Sequence, residues 1–273
     1  MRTRTFSQLV LTLPFALSFA ASAHETWITV SKVENGRFTA ELATGSRFPT
    51  SDSAVKPERI EQTFVRLGSA SVGSVMNLRE DGAVTRFEGQ ARGHGIATLA
   101  IAIAPKAITI PAKEFEAYLR EIGARDALKE RKRRGESKKP GREVYRKLPK
   151  TFVVLGAGVA PTPPIGLPLE MAVEQDPSRL LAGDTLYVTL LHQGKGAAKQ
   201  LVRVLGEDGR TSFTGHTDDN GQIAIPLAKA GRSLLTTTLV RRLANGEKAK
   251  GTPYEDADWE SLWASLLLEV KPR

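Results

Sequence analysis

Hydrophobic and polar residues alternate along much of the chain from residue 25 onward, which is the pattern of half-buried β-strands. Such runs occupy residues 27–30, 38–42, 62–67 and 95–103. Glycines and turn pairs such as Asp81-Gly82 separate them, and the prolines at positions 49 and 57 predict a loop over residues 45–58. The first part of the chain is therefore predicted to be mostly β-sheet.

The hydrophobic period changes to that of a helix after Pro111. Phe115, Tyr118, Leu119 and Ile122 follow the i, i+3, i+4, i+7 spacing, which places them on one face of an amphipathic helix. A charged helical segment at 126–134, an exposed loop at 136–141 and a strand at 151–155 are predicted to follow. We therefore expect one helical insertion, at about residues 112–134, in an otherwise β-rich unit.

Residues 161–164, Pro-Thr-Pro-Pro, are the best candidate for a domain boundary, because proline stiffens the chain and cannot donate to a β-ladder. Further strands are predicted at residues 169–174, 184–191, 201–205, 222–227, 234–240 and 263–270. Turns such as Asn220-Gly221 separate them, and this spacing is typical of an antiparallel, immunoglobulin-like sandwich of about seven strands. We predict an all-β fold with two β-sandwich domains, residues 24–160 and 165–273.

The first residues of the chain have the pattern of a secretory signal. Arg2 and Arg4 precede an apolar run at residues 9–20, and Ala21-Ser22-Ala23 matches the small-x-small site that signal peptidase cleaves. The apolar run is too short to span a membrane. We therefore expect residues 1–23 to be a signal peptide, the mature protein to lie in the periplasm, and His24 to be its first residue.

A histidine at a mature N-terminus can chelate a metal ion through its free amine and its ring nitrogen. The chain has four histidines, and imidazole is a ligand that suits nickel and copper. His94 is the predicted second ligand, because it belongs to the same predicted domain as His24. His192 and His216 lie in turn contexts that are typical of surface histidines. The alternative is that His24 is a solvated chain end without a metal.

The absence of cysteine and the positive net charge limit the kinds of site and partner that the protein can have. None of its 273 residues is cysteine, which excludes disulfides, thiolate metal sites and cysteine nucleophiles. The formal net charge is +9, and much of the excess lies in a basic segment, residues 129–150. Its cations are Lys129, Arg131, Lys132, Arg133, Arg134, Lys138, Lys139, Arg142, Arg146, Lys147 and Lys150. Because a secretory signal opposes nucleic acid as a partner, we expect either a solvated face or a contact with an anionic membrane surface or acidic partner.

Several stretches resemble one known family, the domain-of-unknown-function 4198 proteins. They are HETWI (24–28), FEAYLREIG (115–123), KPGREVY (139–145), GLPLEM (166–171), GDTLYVTLLHQGK (183–195), TDDNGQIAIPL (217–227) and DADWESLWASLLLEV (256–270). KPGREVY is expected to be a loop, and the C-terminal part also resembles transthyretin-like sandwiches. Members of the family are often described as periplasmic components of cobalt or nickel uptake systems, so the resemblance implies that compartment and that process.

These observations together predict a periplasmic, non-enzymatic accessory protein for metal uptake. It would bind nickel, cobalt or copper through His24 and pass the ion to an inner-membrane metal transporter or another envelope protein. The alternative is a structural or interaction protein of the cell envelope in which no metal is involved. A third hypothesis is a copper redox enzyme with an N-terminal histidine brace, which needs a second histidine near His24 and an open metal position.

Overall fold

The computed structural model describes residues 24–158 and 162–273. The predicted signal peptide, residues 1–23, and Pro161 of the predicted boundary lie outside these described residues. Within them, the chain is mostly β-strand with two α-helices, and no helix is long and apolar enough to cross a membrane. The prediction of an all-β fold is therefore confirmed.

Both α-helices of the described chain interrupt a long succession of strands. The strands of the first half are β1 (Glu25–Glu34), β2 (Arg37–Gly45), β3 (Ile60–Leu67), β4 (Ala70–Ser71), β5 (Gly73–Asp81), β6 (Val84–Ala91), β7 (Ile96–Ile103), β8 (Lys106–Ile110) and β9 (Gly141–Val154). The helices between β8 and β9 are α1 (Ala112–Glu121) and α2 (Arg125–Arg133). The strands of the second half are β10 (Leu169–Val173), β11 (Thr185–His192), β12 (Lys195–Gly196), β13 (Leu201–Gly206), β14 (Thr211–His216), β15 (Gln222–Pro226), β16 (Gly231–Arg242) and β17 (Trp259–Val270).

A long central sheet joins the two halves of the chain. Its strand order is β14-β13-β16-β17-β9-β7-β3-β4, and β8 also pairs with β9. Its middle pair, β17 and β9, runs parallel, with Trp259 opposite Glu143 and Leu266 opposite Lys150. Because β9 precedes residues 161–164 and β17 follows them, one sheet continues across the predicted domain boundary. The division into two separate domains stays a prediction.

Two smaller sheets cover the faces of the central sheet. One has the order β1-β2-β6-β5, and the other contains β10, β11, β12 and β15. On β7, Leu99 and Ile101 belong to a core shared with the first small sheet, whereas Ala100 and Ala102 belong to a core shared with the second. Since successive strand residues point to opposite faces, β7 is covered from both sides. The described chain thus forms two sandwiches that share their middle sheet.

In this middle layer, β7 and the part of β17 from Leu262 to Leu268 are almost uninterrupted runs of apolar residues, because both of their faces are buried. All eight residues of β7 are buried, and in β17 only Glu269 is exposed. This burial explains why residues 96–103 and 262–268 lack the polar alternation of a surface sheet.

The helical insertion packs on the same face of the central sheet as β1. Phe115, Tyr118 and Leu119 of α1 are buried in a cluster with Trp259 of β17, as the helical spacing predicts. Further along β17, the same face is covered by β1 instead of the helix, and Trp27 of β1 packs in one cluster with Leu267. The helix and the strand therefore cover neighbouring parts of one sheet face, and a seam lies between them.

The structure corrects one local prediction and adds strands that the sequence analysis did not predict. Residues 141–145, which we predicted as a loop, begin the long strand β9. The prediction was wrong because charged residues interrupt the hydrophobic pattern there. In the structure several of these charges are paired within the protein, as Arg142 is with Asp258 at 2.8 Å, so the segment can form a strand. β5 and β14 were not predicted either, because both are edge strands with few buried residues.

Candidate functional site

A pocket of about 630 Å³ opens at the seam between the helical insertion and β1. β8, β9 and β17 form its floor, and Tyr118 reaches it from α1. His24, Thr44 and the loop residues 53–56 line the facing side. A concave space of this size lies in the range of small-molecule sites.

Alternate residues of β9 form the centre of the pocket floor. Glu143, Tyr145 and Lys147 share one face of the strand because side chains alternate along it. The β-ladders place residues of the neighbouring strands beside them, in the pairs Ile108–Glu143, Lys106–Tyr145 and Trp263–Lys147. The floor therefore combines aromatic, aliphatic and charged side chains that lie far apart in the sequence.

Glu143 is a buried carboxyl group in this floor, with 2% of its surface exposed. The Tyr118 hydroxyl donates a hydrogen bond of 3.0 Å to its Oε1, and the Ser261 hydroxyl donates to the same oxygen. The indole Nε1 of Trp263 in turn donates to Ser261 Oγ over 3.0 Å. Burial raises the pKa of Glu143 to about 7, although both hydroxyl donors favour the charged form. This carboxyl group is therefore present in both its protonated and its ionised form near neutral pH.

Lys147 is a half-buried cation on the same face. Its Nζ donates a hydrogen bond of 2.8 Å to the backbone oxygen of His24 and lies 5.9 Å from the centre of the Trp263 ring. Burial lowers the pKa of Lys147 to about 8, while the nearby Glu25 carboxylate acts in the opposite direction. The ammonium form predominates at pH 7, so Lys147 supplies a positive charge inside the pocket.

Glu25 and Arg203 connect this corner of the pocket to the second half of the chain. Glu25 is 6% exposed, and burial raises its pKa above the ordinary value. Arg203 Nη2 lies 3.1 Å from its Oε1, and Arg203 belongs to β13. The residue after His24 is thus fixed by a long-range ion pair, which also fixes the backbone at His24.

His24 lies at the start of β1 and lines the pocket. Its Nε2 is 3.6 Å from Asp52 Oδ2, and both side chains are partly exposed. Asp52 also accepts a hydrogen bond of 2.6 Å from the Ser46 backbone N–H, which lowers the pKa of the carboxyl group. An imidazole and an ionised carboxylate therefore stand side by side, and both are ligands for divalent transition metals.

The structure does not bring His94 to His24. β1 begins where Glu25 pairs with Gly45, whereas His94 follows the other end of the same small sheet, three residues after Ala91. Among the described residues there is no group of three or more histidine, aspartate and glutamate side chains that could hold a metal ion. The carboxylate that the structure places beside His24 is Asp52, which sequence reasoning missed.

His192 and His216 lie at the ends of strands in the second half, β11 and β14. The Nε2 atom of His192 is buried without a hydrogen-bond partner among the described residues, and burial lowers its pKa. His216 is exposed. Neither residue lines the pocket.

Most cations of the basic segment are engaged within the protein. Arg133 and Arg134 both pair with Glu130, Arg146 pairs with Glu61, and Lys129 lies 3.2 Å from Asp126. Arg131 is 1% exposed and donates hydrogen bonds to the backbone oxygens of Glu136 and Lys139. Lys132, Lys138 and Lys139 are exposed and form no ion pair with any described residue.

Comparison with known proteins gives the family of the chain. The profile of a family described as a domain of unknown function, DUF4198, matches residues 21–241. The chain belongs to the DUF4198 family. The match runs through both halves and confirms the resemblance seen in the sequence, but the description of the family assigns no activity.

Other comparisons add little to the DUF4198 assignment. No curated protein matches the chain. One similar solved structure is native alpha-2-macroglobulin from Escherichia coli spanning domains MG0-NIE-MG1, with 11% sequence identity. The similarity covers 90% of this chain and 97% of that chain with a TM-score of 0.22, a value that carries no functional information.

Sequence reasoning missed the charged centre of the pocket. Tyr118 was predicted only as a core residue, Lys147 only as part of a basic segment, and Glu143 as part of a loop. One signal was present in the sequence: Glu143, Tyr145 and Lys147 are spaced by two residues, which places them on one face if the segment is a strand.

Proposed function

We propose that this DUF4198 protein is a periplasmic, non-enzymatic accessory protein for the uptake of a divalent transition metal, nickel, cobalt or copper. In this proposal signal peptidase cleaves after Ala23, and His24 becomes the mature N-terminus. The free amine and the imidazole of His24 then hold one metal ion. The observation that supports the proposal is the carboxylate of Asp52, whose Oδ2 lies 3.6 Å from His24 Nε2.

We further propose Asp52, rather than His94, as the companion ligand of His24. An amine, an imidazole and a carboxylate form a mixed nitrogen and oxygen donor set that suits these metals. Asp52 is held in place by the Ser46 N–H, which satisfies part of its hydrogen-bonding capacity and orients the carboxylate. His94 lies at the far end of the small sheet and would need a large rearrangement to reach the same ion.

Calorimetric titration of the exported, processed protein with Ni²⁺ tests this proposal. We expect one ion per chain. Insertion of one alanine before His24 keeps the ring but moves the amine, so it should weaken binding by about tenfold or more, as should His24→Ala. Asp52→Asn should weaken binding in the same direction, and His94→Ala is the matched control that should leave the affinity unchanged.

Two results would overturn the proposal. Equal affinity in the wild type and the alanine-insertion variant would show that the chelate is not used. An absence of binding to Ni²⁺, Co²⁺ and Cu²⁺ would leave the alternative, a non-metal interaction protein of the envelope. Intact-mass measurement of the exported chain accompanies the titration, because a start at any residue other than His24 removes the amine from the site.

The partner that receives the metal is proposed to be an inner-membrane transporter or another envelope protein. Lys132, Lys138 and Lys139 give the basic segment an exposed positive face near the end of α2. Exposed cations of this kind favour contact with an acidic partner or an anionic membrane surface, and salt weakens such a contact. The same face also suits the interaction-protein alternative.

A further inference from the structure

The floor of the pocket exposes apolar surface that no other part of the described chain covers. Ile108 has 44% of its surface exposed, which is high for a large aliphatic side chain on a sheet. Tyr145 and Trp263 line the same pocket, and the buried side chains of Val55 and Ile103 add to its apolar lining. Apolar and aromatic surface inside a concave site favours a ligand with an apolar body.

The charges around this apolar floor are mostly positive. Lys56, Arg59, Lys106 and Lys147 line the pocket, and Glu143 is the only acidic residue among its described lining. Lys56 and Lys106 are exposed and form no ion pair with the described residues. A pocket lined by an excess of one charge attracts a ligand of the opposite charge.

Two of these cations are placed to act on one group. Lys106 of β8 pairs with Tyr145 of β9 across an antiparallel ladder, and Lys147 lies two residues further along β9. Such diagonal neighbours have side chains about 7–8 Å apart at their bases, which long lysine side chains can span. Arg59 is held above the Tyr145 ring, 5.9 Å from its centre, while its Nη2 donates to the Ala104 oxygen over 2.8 Å.

We propose that this pocket binds a small organic anion that carries a flat apolar body. The body lies against Ile108, Tyr145 and Trp263, and the anionic group lies between the ammonium groups of Lys106 and Lys147. The site goes beyond the proposed metal function, because it needs neither the mature amine nor Asp52.

Two fluorescent probes with the same ring system separate the two parts of this site. 8-Anilinonaphthalene-1-sulfonate carries an anionic group, and N-phenyl-1-naphthylamine is its neutral counterpart. In metal-free buffer we expect the full processed protein to bind one sulfonate probe per chain and to bind the neutral probe about tenfold more weakly, the usual scale for a lost contact to a charged group.

Variants of the lining residues then locate the site. Lys106→Met should lower the affinity for the sulfonate probe about threefold and leave the affinity for the neutral probe unchanged. Lys147→Met should lower the affinity for the sulfonate probe by about tenfold, because the charge of Lys147 is less solvated than that of Lys106. Ile108→Ser should lower the affinity for both probes about threefold. The matched controls are Lys195→Met and Val154→Ser, which change an exposed lysine and an exposed aliphatic residue outside the pocket.

Two results would overturn the proposal. One is equal affinity for the two probes, and the other is an equal loss of affinity for the sulfonate probe in Lys106→Met and Lys195→Met. Either result would show that the pocket does not recognise the anionic group. Equal loss in Ile108→Ser and Val154→Ser shows that the apolar body binds elsewhere. Because Lys106 and Ile108 are exposed, these variants should fold normally. His24→Ala should weaken nickel binding by about tenfold or more and leave sulfonate binding unchanged, so the two proposals fail separately.

Discussion

Glu143 shows how one residue gains its chemistry from neighbours that are distant in sequence. Its two hydroxyl donors come from α1 and β17, and its burial depends on the helix lying over the central sheet. No local pattern around position 143 carries this information. The charge at that position instead made the segment resemble a loop, although it is a strand residue whose side chain points inward.

We predict that Glu143 lowers the free energy of unfolding as pH rises from about 4.5 to about 7. In the unfolded chain an ordinary glutamate loses its proton near 4.5, whereas the folded protein keeps this proton until about 7. The folded state therefore binds the extra proton in that interval, and stability decreases with pH there. At about 1.4 kcal/mol for each pH unit, the total change is about 3 kcal/mol.

Urea unfolding at pH 5 and pH 8 measures this effect. Glu143→Gln should reduce the difference between the two pH values, because an amide of similar shape carries no proton to lose, while Glu25, whose pKa burial also raises, keeps its own contribution. Glu269→Gln alters an exposed glutamate and should keep the wild-type difference. If Glu143→Gln and the wild type lose the same stability between pH 5 and pH 8, the buried carboxyl is not the source.

At the scale of elements, the contact between α1 and the start of β9 depends on a glycine. A side-chain carbon added at Gly141 would overlap the ring atoms of Phe115. The Arg131 guanidinium also lies over this ring, 4.8 Å from its centre. Phe115 therefore contacts both the strand backbone and a buried cation, and these contacts hold the helical insertion on the sheet.

We predict that Gly141→Ala lowers the free energy of unfolding by about 1–3 kcal/mol, because the added methyl group overpacks this contact. Gly246→Ala is the matched control, since nothing lies within 4 Å of the added carbon there. It should change stability by less than about 0.5 kcal/mol. Chemical denaturation followed by circular dichroism measures both changes.

A second variant tests the cause of that loss. In a Phe115→Leu background the smaller side chain leaves room for the added methyl group. Gly141→Ala should therefore lower the free energy of unfolding clearly less there than in the wild type. An unchanged cost would mean that the loss arises from backbone conformation at Gly141 rather than from the close approach to the ring.

The elements themselves were predictable where their signal is local. The helix over Ala112–Glu121 follows from four apolar residues at helical spacing, and the β-rich first half follows from alternation. The strand Gly141–Val154 was only partly predictable, because its charges are satisfied by residues such as Asp258, which lies 116 positions from Arg142. The pocket was not predictable, because its floor requires the pairing of β8, β9 and β17.

At the scale of the whole molecule, a buried ion pair fastens the second half to the first. Lys150 of β9 lies 2.8 Å from Glu170 of β10, and the side chains are 3% and 1% exposed. The Glu170 carboxylate also accepts hydrogen bonds from the backbone N–H groups of Ile165, Gly166 and Leu167. The segment after the predicted boundary is therefore held onto the central sheet by one carboxylate.

We predict that Lys150→Met lowers the free energy of unfolding by about 3–5 kcal/mol, because it leaves the Glu170 carboxylate buried without its cation. The double variant Lys150→Met/Glu170→Gln should lose less than the two single variants added together. Lys199→Met breaks an exposed pair with Asp219 of the same 2.8 Å length and should cost no more than about 1 kcal/mol. Equal losses in Lys150→Met and Lys199→Met would contradict the role of burial.

The position of β17 in the central sheet sets the order in which the protein can assemble. This strand lies between β16 and β9, yet it follows every other described strand in the chain. During synthesis Arg142 leaves the ribosome 116 residues before its partner Asp258. Throughout that interval one hydrogen-bonding edge of β9 has no strand to pair with, and open edges invite pairing with other chains. The edge of β9 that pairs with β17 can therefore be closed only after the last described strand has been made, so the central sheet cannot be completed in the order in which its strands are synthesised.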